Sequence, residues 1–141
     1  MANKVIVLDD FLKDLKKLIK KHPNLKRKID ELIDQLSENA LLGDVIPNSG
    51  GLRKIRLEGE NTGKSGGYRV ITFSISAADS EEFELDEELK KAVKDGAQYI
   101  VTLISIYDKK EQSDVKGSIL KQFVEAIYPK KAPPSSKNKK K

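Results

Sequence analysis

The segment Tyr99-Ile-Val-Thr-Leu-Ile-Ser-Ile-Tyr107 is the most apolar run in the chain, and it constrains the fold more than any other feature. It is far shorter than the roughly 20 apolar residues a membrane-crossing helix needs. Its β-branched and aromatic residues favour extended backbone, so it predicts a central strand. Tyr68-Arg-Val-Ile-Thr-Phe-Ser-Ile75 has the same character and predicts a second. In the stretch before it, Leu52, Ile55 and Leu57 are interleaved with Arg53, Lys54 and Arg56, which suggests a third strand.

The first forty residues have a different period. Lys4-Val-Ile-Val-Leu8 reads as a short strand, with Asp9-Asp10 behind it to cap a helix. Phe11, Leu12, Leu15, Leu18 and Ile19 then share one helical face. Pro23-Asn24 breaks that helix, and Leu25, Ile29, Leu32, Ile33 and Leu36 define another. Residues 41–51 read as a loop. Asp86 to Lys94 reads as a short helix stopped by Gly96. Ile119, Leu120, Phe123, Val124 and Ile127 make a last amphipathic helix ended by Pro129.

The expected fold is α+β: an N-terminal strand and helical hairpin packed on a small curved antiparallel sheet, with a C-terminal helix and the helices on one face. At 141 residues the chain fits one domain, placed at 1–128. Residues 79–96 are an acidic, solvated insert, and 129–141 are expected to be a disordered Lys-rich tail.

Charge has to be localised before it can be interpreted. The formal charge is +5, from 27 Lys and Arg against 22 Asp and Glu. Six of those lysines lie in 129–141, which leaves 21 basic side chains against 22 acidic ones in the body. The net charge therefore describes a tail. Within the body, Arg53, Lys54, Arg56, Lys64 and Arg69 form a basic stripe, followed by eight acids between Asp79 and Asp95. With no cysteine and one histidine, His22, the chain cannot form disulfides, thiolate metal sites or a two-imidazole ribonuclease centre. There is no signal-like leader, so a cytoplasmic location is the expectation.

Some motifs are decoys. Gly59-Glu-Asn-Thr-Gly63-Lys64-Ser65 resembles a phosphate-binding loop but has three residues between the glycines instead of four. It also leads into a strand, whereas that loop needs a helix N-terminus. A hairpin connection, with Gly66-Gly67 allowing positive φ, explains it better. His22 at a helix end suits the helix dipole without any catalytic role. Glu81-Glu82 and Glu87-Glu88 lack the spacing of a Ca²⁺ loop.

The stripe is more specific. On a strand, Lys54 and Arg56 share one face while Arg53, Ile55 and Leu57 share the other. Antiparallel pairing could bring Arg69 beside the first two. Three cations on a sheet face form a site for a phosphodiester. Truncating Arg69 is expected to cost little stability, because its neighbours Val70, Ile71 and Phe73 supply the packing.

Three stretches together resemble a known family. They are Gly50-Gly51-Leu52-Arg53-Lys54-Ile55-Arg56, Gly63-Lys64-Ser65-Gly66-Gly67-Tyr68-Arg69-Val70-Ile71, and Ile106-Tyr107-Asp108-Lys109-Lys110-Glu111 with Asp114. In this order they look like the RelE/ParE toxin superfamily, and within it the HigB/RelE-like toxins of type II toxin–antitoxin systems. The likeness spans about residues 4–127, less the acidic insert.

That resemblance implies a ribosome-dependent endoribonuclease that cuts mRNA and inhibits translation, neutralised by a cognate antitoxin, with no metal or other cofactor. It implies Lys54, Arg56, Arg69 and Lys110 as catalytic residues. Lys54 is the general-base candidate beside neighbouring cations, and Lys110 stands where RelE-type members carry an arginine. It further implies Lys64 and Lys109 at the RNA backbone, Tyr68 or Tyr107 as stacking groups, and Lys116 near the position of the family's tyrosine. Lysine at 110 keeps charge but loses the bidentate fork of arginine. The implied partners are the antitoxin, the ribosome and mRNA. A non-catalytic binding module, or a gyrase-targeting ParE-like toxin, is the alternative.

Overall fold

The computed structural model describes residues 2–59, 67–112 and 114–132. In chain order it contains β1 (Lys4–Val7), α1 (Asp9–Lys21), α2 (Leu25–Glu38), β2 (Asp44–Val45), β3 (Arg53–Leu57), β4 (Tyr68–Ser76), α3 (Glu87–Lys94), β5 (Tyr99–Asp108) and α4 (Gly117–Ile127). A 3₁₀ turn at Ser80–Glu82 precedes α3. The α+β class holds. The five strands form one sheet in the order β1-β5-β4-β3-β2.

The sheet is mixed where an antiparallel one was expected. β1 runs parallel to β5, with Lys4 opposite Ile100 and Val7 opposite Leu103. All other pairs are antiparallel. β5 is an interior strand flanked by β1 and β4, in keeping with its apolar composition, and β4 holds the middle of the sheet.

Helices cover both faces of the sheet, which corrects the expectation of one. The reason lies in β4 and β5, which are apolar on both sides, as strands buried between two layers must be. Val70, Val101, Leu103 and Ile106 pack under the α1–α2 hairpin with Phe11, Leu15, Leu25, Ile29, Leu32 and Leu36. On the opposite face Ile71, Phe73, Ile75, Ile100 and Ile104 pack with Leu120 and Val124 of α4. Burying a side chain of this size is worth about 1.5–3 kcal/mol, so each face has its own substantial core.

The insert is packed into the second core and does not stand off in solvent. Phe83, Leu85 and Leu89 are buried there, while Glu82, Glu84 and Glu88 between them face water. Phe83 meets Phe73 edge-on with ring centroids 6.1 Å apart. Asp86 caps α3 by accepting from the Leu89 backbone N–H at 2.9 Å. The chain after α4 continues against this segment. Glu84 N donates to Pro129 O, and Lys131 N donates to Glu82 O, both at 2.8 Å. Residues 129–132 are therefore ordered by pairing with the insert, and the boundary expected at 129 falls within packed structure. Residues 133–141 lie outside the described residues.

Candidate phosphate-binding site

The register of the sheet gathers the basic residues on the α4 face. Lys54 pairs with Ile71, and Arg56 pairs with Arg69 across β3 and β4. Cross-strand partners share a face, so Lys54, Arg56 and Arg69 stand together, as strand alternation predicted. Arg53 falls on the other face, where its Nη1 donates to Leu41 O at 3.0 Å and Gly43 O at 3.1 Å. The turn into β4 needs Gly67, whose φ is +90° and where a Cβ would collide with Leu57 O.

An irregularity in β5 adds a fourth group. Ile71 pairs with Ser105 but Thr72 pairs with Leu103, so Ile104 is an extra residue in the strand. Such a bulge reverses which face the following side chains occupy. An unbroken register from Thr72 and Leu103 would put Tyr107 opposite Tyr68, under the hairpin. With the bulge it stands opposite Arg69.

Asp114, in the segment before α4, is where Lys54, Tyr107 and Lys109 converge. Tyr107 donates its hydroxyl proton to Asp114 Oδ1 at 2.5 Å. Lys54 Nζ and Lys109 Nζ both reach Asp114 Oδ2, at 3.1 and 3.2 Å. The Tyr107 hydrogen bond, followed by those from Lys54 and Lys109, holds the Asp114 carboxyl well below the usual carboxylate range against the opposing effect of burial. Burial first, then the hydrogen bond to Asp114, pushes the Tyr107 phenol up, with Arg69 opposing. Tyr107 is thus a neutral donor at physiological pH. A cavity of about 90 Å³ beside the pair is lined by Lys54, Ile71, Ser105, Tyr107 and Asp114.

The remaining candidates are placed differently. Arg69 is only 4% exposed, and its Nη1 donates to Tyr68 O at 3.3 Å. Arg56 is exposed beside it. Tyr68 points to the opposite face, buried in the hairpin core and edge-on to His22 at 5.3 Å. Strand alternation forces this, because its neighbour Arg69 faces α4. Tyr68 therefore cannot stack on a base at this site. Tyr107 is buried too, and contributes a hydroxyl and not an open ring face.

Lys110 is exposed in the turn after β5, and its backbone N–H donates to Asp108 Oδ1 at 2.9 Å. Lys109, not Lys110, reaches Asp114. Lys116 is exposed at the N-cap of α4, and Lys64 lies outside the described residues. Among the described residues, no group of three or more His, Asp or Glu side chains is placed to hold a metal ion.

Asp114 is the site group that strand periodicity could not supply. In sequence it falls within the third stretch of the resemblance, shortly before α4, where the resemblance implies no role for it. No protein-family model matches the chain.

Proposed function

We propose that this protein is a metal-independent endoribonuclease of the RelE/ParE type, the toxin of a type II toxin–antitoxin pair, acting on mRNA at the ribosome in the cytoplasm. One observation carries the reading: Lys54, Arg56, Arg69 and Tyr107 share one sheet face, and Lys54, Tyr107 and the adjoining Lys109 meet on a single carboxylate. Such a set suits a reaction in which negative charge grows on a phosphodiester.

In that reaction the 2′-hydroxyl oxygen attacks the adjacent phosphorus as its proton passes to a solvent water molecule. The bond from phosphorus to the 5′-oxygen breaks, and that oxygen takes up a proton. Arg56, the exposed guanidinium, meets the phosphate, and the buried Arg69 paired across from it adds positive charge from behind. Tyr107 is the group suited to donate toward the leaving oxygen, since its phenol keeps its proton. Lys54 is tied to a carboxylate, so it serves as charge at the phosphate; the proton-accepting role the resemblance implies would require it to leave Asp114. Lys109 takes over the position implied for Lys110, while Lys110 and Lys116 are free to follow the RNA backbone.

Primer extension on cellular mRNA after brief induction tests the reading. New ends inside translated regions are expected, with growth arrest relieved by a protein encoded beside the gene. DNA breaks without mRNA cuts would point to gyrase instead. Growth without either would leave only a binding module.

A further inference from the structure

Asp114 occupies the position an anion would take. Its two carboxylate oxygens receive the Tyr107 hydroxyl and the Lys54 and Lys109 ammonium groups, three donors brought from β3, β5 and the turn after β5. Two of these donors are cations on separate segments, and each is aimed at the same oxygen, Oδ2. Phosphate oxygens accept hydrogen bonds from the same donor set in the same way. The Asp114 side chain is 39% exposed, so it can leave by turning into solvent about its own torsions. The start of α4 need not move. A Cβ at Gly117 would collide with Pro47 O, so that end of the helix is closely packed against the loop before β3.

We propose that Tyr107, Lys54 and Lys109 form a phosphate subsite that Asp114 fills in the free protein, and that a substrate phosphodiester binds by displacing its carboxylate. Asp114 is then a built-in competitor: it holds the three donors in place while lowering the protein's affinity for stray anions. The proposal rests on the nuclease reading for the identity of the substrate, but not for the anion chemistry.

The test uses the full chain and an uncleavable fluorescent oligonucleotide with 2′-deoxy linkages, followed by anisotropy against salt. Asp114→Asn keeps the shape and the acceptor for Tyr107 but removes the competing charge. It should tighten binding by about tenfold, the equivalent of two released surface ion pairs. With both lysines free to meet phosphates, the plot of log affinity against log salt should steepen by about 1.4. Glu31→Gln, which releases Arg27 from its 3.0 Å pair on α2, across the sheet from the site, controls for net charge and should change affinity less than about twofold.

Asp114→Ser serves as a second variant, and both must melt cooperatively. Weaker binding in both folded variants, or an equal gain from Glu31→Gln, would overturn the proposal. Inorganic phosphate separates the two readings. If phosphate shifts the Tyr107 ring signals at lower concentration in Asp114→Asn than in wild type, the subsite stands even where no RNA is cut. If phosphate leaves those signals unmoved in every variant, the subsite is refuted whatever happens to mRNA.

Discussion

Arg69 shows how far one residue's role depends on its surroundings. It is a cation on a strand, but at 4% exposure it is also part of the core. Its methylenes pack and its guanidinium is desolvated, so Arg69→Ala should cost about 1–3 kcal/mol in a urea titration. That reverses the expectation of little stability loss. Its removal should also lower cleavage, by less than the factor of about 10²–10³ that loss of a donor touching the phosphate costs, because Arg69 acts from behind Arg56. Arg69→Lys separates the two effects: it should keep most of the stability and only part of the cleavage, because an ammonium lacks the planar fork. Arg53→Ala is the control on the opposite face and should still cut. A folded Arg69→Ala protein as active as wild type would remove Arg69 from the site. Asp114 makes a pH prediction. Its folded-state pKa lies below the ordinary 3.8, so its stabilising contribution is complete above that value and is lost as pH falls toward the folded value. The stability gap between wild type and Asp114→Asn should be constant from neutral pH down to mild acid. It should close below about pH 4 in denaturant titrations. A gap that widens on acidification would contradict the assigned hydrogen bonds.

At the scale of elements, α4 and the chain after it decide how the second core closes. Replacing a helical glycine with alanine normally gains about 1 kcal/mol. At Gly117 the added methyl would run into Pro47 O, and overpacking of about 1–3 kcal/mol should outweigh that gain. Gly117→Ala should therefore lower the melting temperature, while Ser118→Ala, on the exposed side of the same turn, should not. Equal melting temperatures would mean the loop at Pro47 yields freely. The segment after α4 makes a second case. A chain ending at Ala132 keeps the two backbone hydrogen bonds to Glu82 and Glu84, and a chain ending at Tyr128 loses both. The shorter chain should be less stable by about 1–3 kcal/mol in urea, at 0.5–1.5 per bond. Identical midpoints for the two would show that this pairing contributes nothing.

At the scale of the whole molecule, charge and fold separate. Lys137, Lys139, Lys140 and Lys141 lie beyond Ala132, and removing them lowers the formal charge from +5 to +1. Ending the chain at Ala132 should weaken nonspecific RNA binding and flatten its salt dependence, by about 0.7 for each phosphate no longer neutralised. The pattern of mRNA ends should stay the same, because the cationic set sits on the sheet. A changed cleavage pattern would mean that the tail takes part in choosing the substrate. Among the described residues no helix is long and apolar enough to cross a membrane.

The elements with strong periodicity were legible in the sequence. β4 and β5 announce themselves by β-branched runs, and α1, α2 and α4 by apolar stripes at helical spacing, because burial imposes those periods directly. The sharing of a face by Lys54, Arg56 and Arg69 follows from the same rule together with antiparallel pairing. Sequence alone did not yield the parallel pairing of β1, the two-sided helix cover, the packed insert or the bulge at Ile104. Each depends on which distant segment comes to lie alongside, and no local period encodes that. The alternation Glu82-Phe83-Glu84-Leu85 was a visible hint that the insert has a buried side, hidden by its charge. Tyr107 and Asp114 meet only because one extra residue turns β5 over, so tertiary structure, through register, decided the chemistry of the site.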